Sequence, residues 1–173
     1  TKIDIPESLT NIGENAFSGC YSLENISIPE GVTSIGEFAF SGCSSLKSIN
    51  IPESVTSIGA STFYGCSSLE PKLLVYDKGT KCYGWVGNKE KCTNVVIPDG
   101  VTSIGYAAFR GCGSLTSIKI PEGVTSIGNS AFRGCDNLTN IIITEGLIII
   151  ENDDVPADTL PVRGRTALVA TIP

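Results

Sequence analysis

The stretch IPEGVTSIGEFAFSGCSSLKSIN, residues 28–50, decides the fold of this chain because it recurs along most of the sequence. Near-identical copies begin at Ile5, Ile51, Ile97 and Ile120, and successive copies start either 23 residues apart or twice that distance. A fixed period of this length is typical of proteins built from stacked repeats, in which no single unit can bury its apolar side chains alone. The sequence therefore predicts a repeat solenoid.

The repeats divide the chain into a solenoid over residues 1–150 and a segment, 151–173, that departs from the pattern and is expected to form a cap or a tail. Residues 74–96 fill one period although their sequence has diverged, so we interpret them as a turn rather than a linker. The expected turns are the regular copies 5–27, 28–50, 51–73, 97–119 and 120–142, the diverged copy 74–96 and a partial copy over 143–150.

Apolar residues at fixed positions of the repeat predict which side chains point into the solenoid. Side chains that alternate between inward apolar and outward polar along LKSINIP predict one short strand in each turn. VTSI is a candidate for a second strand. GEFAFSGC predicts a short helical turn that ends at Gly42, since glycine suits the left-handed backbone after a helix. The inward positions of copy 28–50 are Ile28, Val32, Ile35, Ala39, Phe40, Cys43, Leu46 and Ile49.

The pattern IPxxVTSIGxxAFxGCxSLxxIx resembles the BspA-like leucine-rich repeat, and five long copies of it stand within residues 5–150. This repeat is found in many bacterial cell-surface proteins and in some protist parasites. The resemblance implies a right-handed leucine-rich-repeat-like coil, an extracellular or cell-surface location, and a role in adhesion or protein binding. It does not imply a particular ligand.

Composition and charge exclude several classes of function. The chain has 18 acidic and 12 basic residues and a formal charge of −6, without a cluster of Lys and Arg that could follow phosphates, so we expect no nucleic-acid partner. Histidine is absent, which removes the commonest general base and metal ligand. We therefore expect no catalytic residue, cofactor or metal site. No apolar run is long enough to predict a membrane-spanning helix.

The N-terminal sequence TKIDIPESLT lacks the basic and apolar regions of a signal peptide, and the chain contains no methionine. We expect a processed form or a fragment of a longer precursor, so the missing signal peptide does not indicate a cytosolic protein. The leading hypothesis is a non-catalytic interaction or adhesion module of a cell-surface or secreted protein, with a protein or glycan as partner. The alternative is a structural spacer that displays another domain of the precursor.

The presumed concave strand face carries small polar side chains that are candidates for ligand binding, although an ordinary solvated sheet would look the same. These residues are Asn25, Ser27, Ser48, Asn50, Ser117 and Lys119. Three aromatic residues of the diverged turn, Tyr76, Tyr83 and Trp85, form a candidate hot spot or else pack beneath a loop.

Two columns of like residues are expected to run along the repeats. The cysteines are interpreted as buried reduced thiols rather than a metal site, because a straight column of ligands does not converge on one ion. The threonines are better explained as solvated strand residues than as a lattice-binding array, and Gly79 interrupts their row. The columns are Cys20, Cys43, Cys66, Cys112 and Cys135, and Thr10, Thr33, Thr56, Thr102 and Thr125.

Cys82 and Cys92 are the two cysteines outside that column, and both lie in the diverged turn. Counted by the period, Cys82 takes the position of Gly36 and Cys92 takes that of Leu46. We expect a disulfide between them, which would compensate for the Phe that this turn lacks and would require an oxidising compartment. Two unpaired thiols are the alternative.

The C-terminal end of the solenoid is very apolar, since residues 141–150 include seven Ile and Leu side chains. Part of 151–173, such as Val155 with Leu160 or Leu168 with Val169, should fold back over it, or a second chain should pack there end to end. Deleting 151–173 should then cause aggregation, measured by light scattering. A truncated chain that stays soluble and equally stable would contradict this prediction.

Overall fold

The computed structural model describes the backbone of residues 2–143, 148–150 and 169–171, and the side chains of residues 3–143. The chain forms two compact units. Unit 1 comprises residues 1–72, 76–78 and 86–88, and unit 2 comprises residues 73–75, 79–85 and those from Lys89 onward.

Unit 1 contains two sheets. One is formed by strands from the TSI or equivalent segments of the repeats, and the other by segments at the ends of the repeats. Its strands are β1 (Lys2–Asp4), β2 (Asn11–Ile12), β3 (Asn25–Ser27), β4 (Ser34–Ile35) and β5 (Ser57–Ile58). β1 pairs in parallel with β3, and a bridge from Asn25 to Ser48 extends this pairing by one turn. β2, β4 and β5 form the second parallel sheet in that order.

Unit 2 follows the same plan with longer strands. They are β6 (Lys72–Tyr76) and β7 (Lys81–Val86), which both units share, and β8 (Asn94–Val96), β9 (Ser103–Ile104), β10 (Ser117–Ile120), β11 (Ser126–Ile127), β12 (Asn140–Ile143), β13 (Ile148–Ile150) and β14 (Val169–Thr171). β10 lies between β8 and β12, and a six-stranded sheet runs in the order β6, β7, β9, β11, β13 and β14. A 3₁₀-helix, Lys89–Lys91, precedes β8.

The predicted solenoid is confirmed by the register of these sheets. Ser117 of β10 pairs with Asn94 on one side and with Asn140 on the other, a step of 23 residues in each direction. The regular turns contribute two short strands, as the sequence indicated. β14 pairs in parallel with β13, so part of the segment 151–173 continues the sheet. Val155, Leu160 and Leu168, named for the predicted cap, lie outside the described residues.

The helical turn predicted for GEFAFSGC is instead a run of β-turns. Alternate N–H groups of this segment donate to a carbonyl three residues earlier, as from Ser41 to Phe38 at 2.9 Å. The N–H groups between them donate to the following turn, as from Phe40 to Thr62 at 3.0 Å. Phe38 has a φ of 54°, which an α-helix does not contain. The segment thus uses half of its donors to hold neighbouring turns together, whereas a helix bonds its N–H groups internally.

The eight side chains of copy 28–50 that were predicted to point inward are all buried. Phe40 is fully buried, and the rings of Phe17 and Phe63 stack on either side of it at centroid distances of 5.2 and 5.7 Å. Phe109 and Phe132 stack in the same way in unit 2, at 5.7 Å. Each column of the core therefore repeats one side chain from turn to turn.

Gly36 lies where two turns of unit 1 are in contact. A Cβ atom added there would stand 2.5 Å from the backbone nitrogen of Glu14, whereas one added at Gly13 would meet nothing within 4 Å. Gly36→Ala should therefore lower the free energy of unfolding by about 2–4 kcal/mol, and Gly13→Ala should change it by less than about 1 kcal/mol. Urea denaturation measures both values. Equal destabilisation by the two substitutions would contradict this contact.

Candidate functional site

The strand face of unit 1 carries four of the predicted ligand-binding residues. Asn25 and Ser27 are exposed on β3, and Ser48 and Asn50 are exposed one turn later, each pair flanking a buried Ile. The bridge between Asn25 and Ser48 sets the two turns in register. Because side chains alternate along a strand, the four polar groups share one face of this unit.

The strand face of unit 2 carries the other two residues, Ser117 and Lys119, on β10. Parallel pairing sets Val96 on one side of Lys119 and Ile142 on the other. Val96 is 66% exposed, Lys119 is exposed and Ile142 is half-buried. These three residues form what we call the Val96 column, in which two apolar side chains flank an ammonium group.

A polar column lies beside the Val96 column on the same face. It consists of Asn94, Ser117 and Asn140. The hydroxyl of Thr116 donates to Oδ1 of Asn94 at 3.2 Å, which orients that amide. Sequence reasoning missed Val96 and Asn94 because they lie in the diverged turn. The interval of 23 residues from Lys119 back to Val96 is the signal that could have found them.

A shallow depression of about 420 Å³ lies on unit 1 and is lined by Ser22, Glu24, Ser45, Lys47 and Ser68. Nζ of Lys47 donates to Oε2 of Glu24 at 2.5 Å, and this hydrogen bond lowers the pKa of the Glu24 carboxyl. Both side chains are largely in solvent, so their ion pair contributes little to stability. The depression is therefore a polar surface on which the two opposite charges balance.

The three aromatic residues of the predicted hot spot are half-buried. Tyr83 and Trp85 lie on the same side of β7, opposite the buried Cys82, and Trp85 packs against the core of unit 2. Tyr76 ends β6. The core contact of Trp85 supports the packing role that was the alternative to a hot spot. More exposed aromatic side chains, which no repeat pattern signals, are Tyr21, Tyr64 and Tyr106.

The threonine hydroxyls bind the backbone of the preceding turn. In unit 1, Oγ1 of Thr33 donates to the carbonyl of Thr10 at 3.2 Å. In unit 2, Oγ1 of Thr102 donates to the carbonyl of Thr80 at 3.2 Å, so Thr80 rather than Gly79 takes the threonine position of the diverged turn. These bonds support a structural role for the column over a lattice-binding one.

The diverged turn is shifted by one residue relative to the expected register. Cys82 pairs with Ile104, so it fills the Ile position of the repeat and not the Gly position. β6 and β7 are neighbouring strands, and the connection between them holds Asp77 and Lys78 in the left-handed region at φ 53° and 54°. The 23-residue period does not predict this hairpin between β6 and β7, and the one-residue change of register is seen in its second strand.

The cysteines of the column are buried except for Cys20, which is half-exposed. Cys43 and Cys66 each donate to the carbonyl of a Phe 26 residues earlier, at 3.2 and 3.1 Å, and Cys135 does so in unit 2 at 3.1 Å. Burial raises the pKa of Cys66 and of Cys135 to about 12, so both thiols are protonated at neutral pH. Across the described residues, no group of three or more His, Cys, Asp or Glu side chains could hold a metal ion.

The two cysteines of the predicted bridge, Cys82 and Cys92, are both buried, and all seven cysteines are free thiols. Interaction with the Cys112 thiol, together with burial, raises the pKa of Cys92. Cys82 is buried opposite Ile104, where burial raises the pKa of its thiol to about 12. The Cys82–Cys92 disulfide stays a prediction, and the shifted register sets Cys82 in the Ile position of its sheet rather than in the Gly position.

A model of the BspA type leucine-rich repeat region matches residues 1–74 and 85–154 in six copies. The chain belongs to this family. The resemblance inferred from the repeat is thereby confirmed. Residues 75–84, which the family model leaves unmatched, contain the connection between β6 and β7 and Cys82. The chain therefore departs from the family pattern in the shifted turn and again over residues 155–173.

Solved structures of bacterial leucine-rich repeat proteins resemble this member of the family. The T. pallidum leucine-rich repeat protein TpLRR is 29% identical, with a TM-score of 0.57 over 84% of this chain and 73% of that one. The pneumococcal vaccine antigen PcpA is 17% identical, with a TM-score of 0.57 over 94% of this chain and 60% of that one. A leucine-rich repeat protein of Bacteroides ovatus is 27% identical, with a TM-score of 0.44 over 86% and 56%.

The chain spans between 56% and 73% of the length of these three proteins. No curated protein matches it significantly. Within the part of the chain that the structure describes, no helix is long and apolar enough to cross a membrane.

The buried thiols predict that stability falls at high pH. Burial raises the pKa of Cys66, Cys82 and Cys135 from 9.0 to about 12, so the folded chain retains protons that the unfolded chain loses. This contribution is therefore fully present below about pH 9 and is lost progressively as the pH rises toward 12. Urea midpoints of the reduced protein at about pH 8 and pH 10 measure the fall. Cys66→Ala should show a smaller fall, and an equal fall in both proteins would contradict the assignment.

Proposed function

We propose that this chain is a non-catalytic interaction or adhesion module of a cell-surface or secreted protein, and that it binds a protein or a glycan through its strand faces. The observation that carries this proposal is the Val96 column, where the 66% exposed Val96 and the half-buried Ile142 flank Lys119. The extracellular location rests on the family resemblance.

The geometry of the Val96 column favours a protein partner. Neighbouring strands are about 4.8 Å apart, so the column extends roughly 10 Å across three strands. Burying the Val and Ile side chains against an apolar surface supplies a hydrophobic contribution of about 25 cal/mol per Å² of apolar area. The ammonium of Lys119 between them would pair with a carboxylate or a carbonyl of the partner, which adds specificity.

The polar residues of the two units supply hydrogen-bonding groups beside such a contact. In unit 2, the amides of Asn94 and Asn140 and the hydroxyl of Ser117 line the neighbouring column. In unit 1, Asn25 and Ser27 present amide and hydroxyl groups on β3, and a bridge from Asn25 to Ser48 aligns the following turn with them. Groups held on paired strands lose little freedom on binding, which favours affinity.

Binding to a panel of extracellular matrix proteins, glycans and host cells tests the proposal. Val96→Asp and Lys119→Glu should each weaken binding to the partner found by at least about tenfold, because Lys119 is the centre of the column and Val96 is its most exposed apolar side chain. Glu122→Lys, a charge reversal of the same size and opposite sign at another exposed position of unit 2, should have little effect.

Surface plasmon resonance gives the affinities, and circular dichroism checks that each variant is folded. Unchanged affinity of both column variants would exclude this face as the binding surface. A uniform absence of binding across the panel would contradict the interaction module and favour the structural spacer.

A further inference from the structure

The exposed Tyr21 lies against a strip of glycines on unit 1. A Cβ atom added at Gly19 would stand 3.7 Å from Cζ of Tyr21, and one added at Gly42 would stand 3.7 Å from its Cε1. The ring therefore lies beside the backbone of two successive turns, at positions where neither turn has a side chain. The residue is nevertheless 68% exposed. The structure thus holds an aromatic ring against the surface of this unit with much of it in contact with solvent.

The polar depression of unit 1 begins directly after Tyr21 in the sequence. Three of its five lining residues are serines of one repeat position, Ser22, Ser45 and Ser68. The other two are Glu24 and Lys47, whose side chains form an ion pair. The N–H of Lys47 donates to the carbonyl of Glu24 at 3.0 Å, which aligns two of the turns. Hydroxyl groups, a carboxylate and an ammonium group are therefore brought together across three turns, over roughly 10 Å.

A sugar ring matches this combination of groups. One face of a pyranose ring carries C–H groups that pack on the face of an aromatic ring, and its edge carries hydroxyls that both donate and accept hydrogen bonds. The serine hydroxyls serve either role, whereas the Glu24 carboxylate accepts and the Lys47 ammonium donates. The lining contains no aliphatic side chain, although the centre of a protein interface is usually apolar. This surface therefore suits a saccharide better than a protein.

Charge favours a neutral saccharide over an acidic one. Nζ of Lys47 donates to Oε2 of Glu24, so its positive charge is already balanced. The N–H of Glu70 donates to the carbonyl of Lys47 at 3.0 Å, which sets a second acidic residue in the turn that follows. The whole chain carries a formal charge of −6, which repels an anionic ligand.

We propose that Tyr21 and the depression beside it form a binding site for a neutral oligosaccharide. The inference rests on the proposed function, for which it names one ligand class and one surface.

In this site, a sugar ring stacks on Tyr21 and its hydroxyl groups bond to the serines and to the Glu24–Lys47 pair. A depression of about 420 Å³ is small for a ligand site, so it takes a short segment of a longer glycan. Asn25 and Ser48 directly follow Glu24 and Lys47 in the sequence, and a bridge pairs them. They continue the polar surface along the strand face of unit 1, where further sugar units bind.

An array of neutral and acidic oligosaccharides, followed by isothermal titration with those retained, tests the site on the full chain. We expect at least one neutral oligosaccharide to bind, and Tyr21→Ala to weaken its affinity by at least about tenfold because the stacking surface is lost. Tyr21→Phe keeps the ring and should stay within about threefold. Tyr106→Ala removes an exposed tyrosine from unit 2 and should leave the affinity unchanged.

Amide chemical shifts of the unmodified chain locate the bound saccharide without any substitution, so the test does not depend on the folding of a variant. The shifts should concentrate at residues 19–24 and 42–47. Shifts confined to other residues, binding of acidic glycans alone, or unchanged affinity of a folded Tyr21→Ala would each overturn the proposal.

The same variants separate this site from the proposed function. A protein partner that is lost in Val96→Asp but kept in Tyr21→Ala, with no neutral glycan bound, would overturn the saccharide site and leave the interaction module standing. The absence of any glycan or protein partner would contradict both.

Discussion

Backbone hydrogen bonds between successive turns are the interaction on which the rest of this structure depends. In unit 1 the N–H of Thr33 donates to the carbonyl of Thr10 at 2.8 Å, and in unit 2 the N–H of Thr125 donates to that of Thr102 at 2.9 Å. These bonds align each residue with its equivalent 23 positions away. Buried backbone groups need such partners, so no turn is stable without a neighbour. In the aligned turns, equivalent side chains of successive copies pack against each other and are buried.

The same alignment limits where a binding function can reside. Inward positions are occupied by the core columns, and the threonine hydroxyls are bonded to backbone carbonyls. Residue types can therefore differ between copies at outward strand positions. There, three different turns contribute Val96, Lys119 and Ile142 to one column. A surface assembled from several copies suits recognition of a partner, because each position can change without disturbing the hydrogen bonds beneath it.

The diverged turn shows what happens when one copy departs from the common pattern. It replaces the buried Phe with a more polar segment, and Cys92 occupies the position of a Leu while remaining fully buried. The turn nevertheless contributes a strand to each of two sheets, because β8 pairs with β10 and β7 pairs with β9. The two cysteines outside the cysteine column, Cys82 and Cys92, both lie in this turn and are buried.

The period, the inward side chains of copy 28–50 and the family could be predicted from the sequence alone, because these depend on polarity that repeats along the chain. It also placed Asn25, Ser27, Ser117 and Lys119 on strand faces, since alternation is a local property. Only the tertiary structure decided that GEFAFSGC forms β-turns, because half of its donors bind the next turn. The one-residue shift that sets Cys82 opposite Ile104, and the exposure of Val96, likewise depend on strand pairing between turns, which a period counted along one chain does not contain.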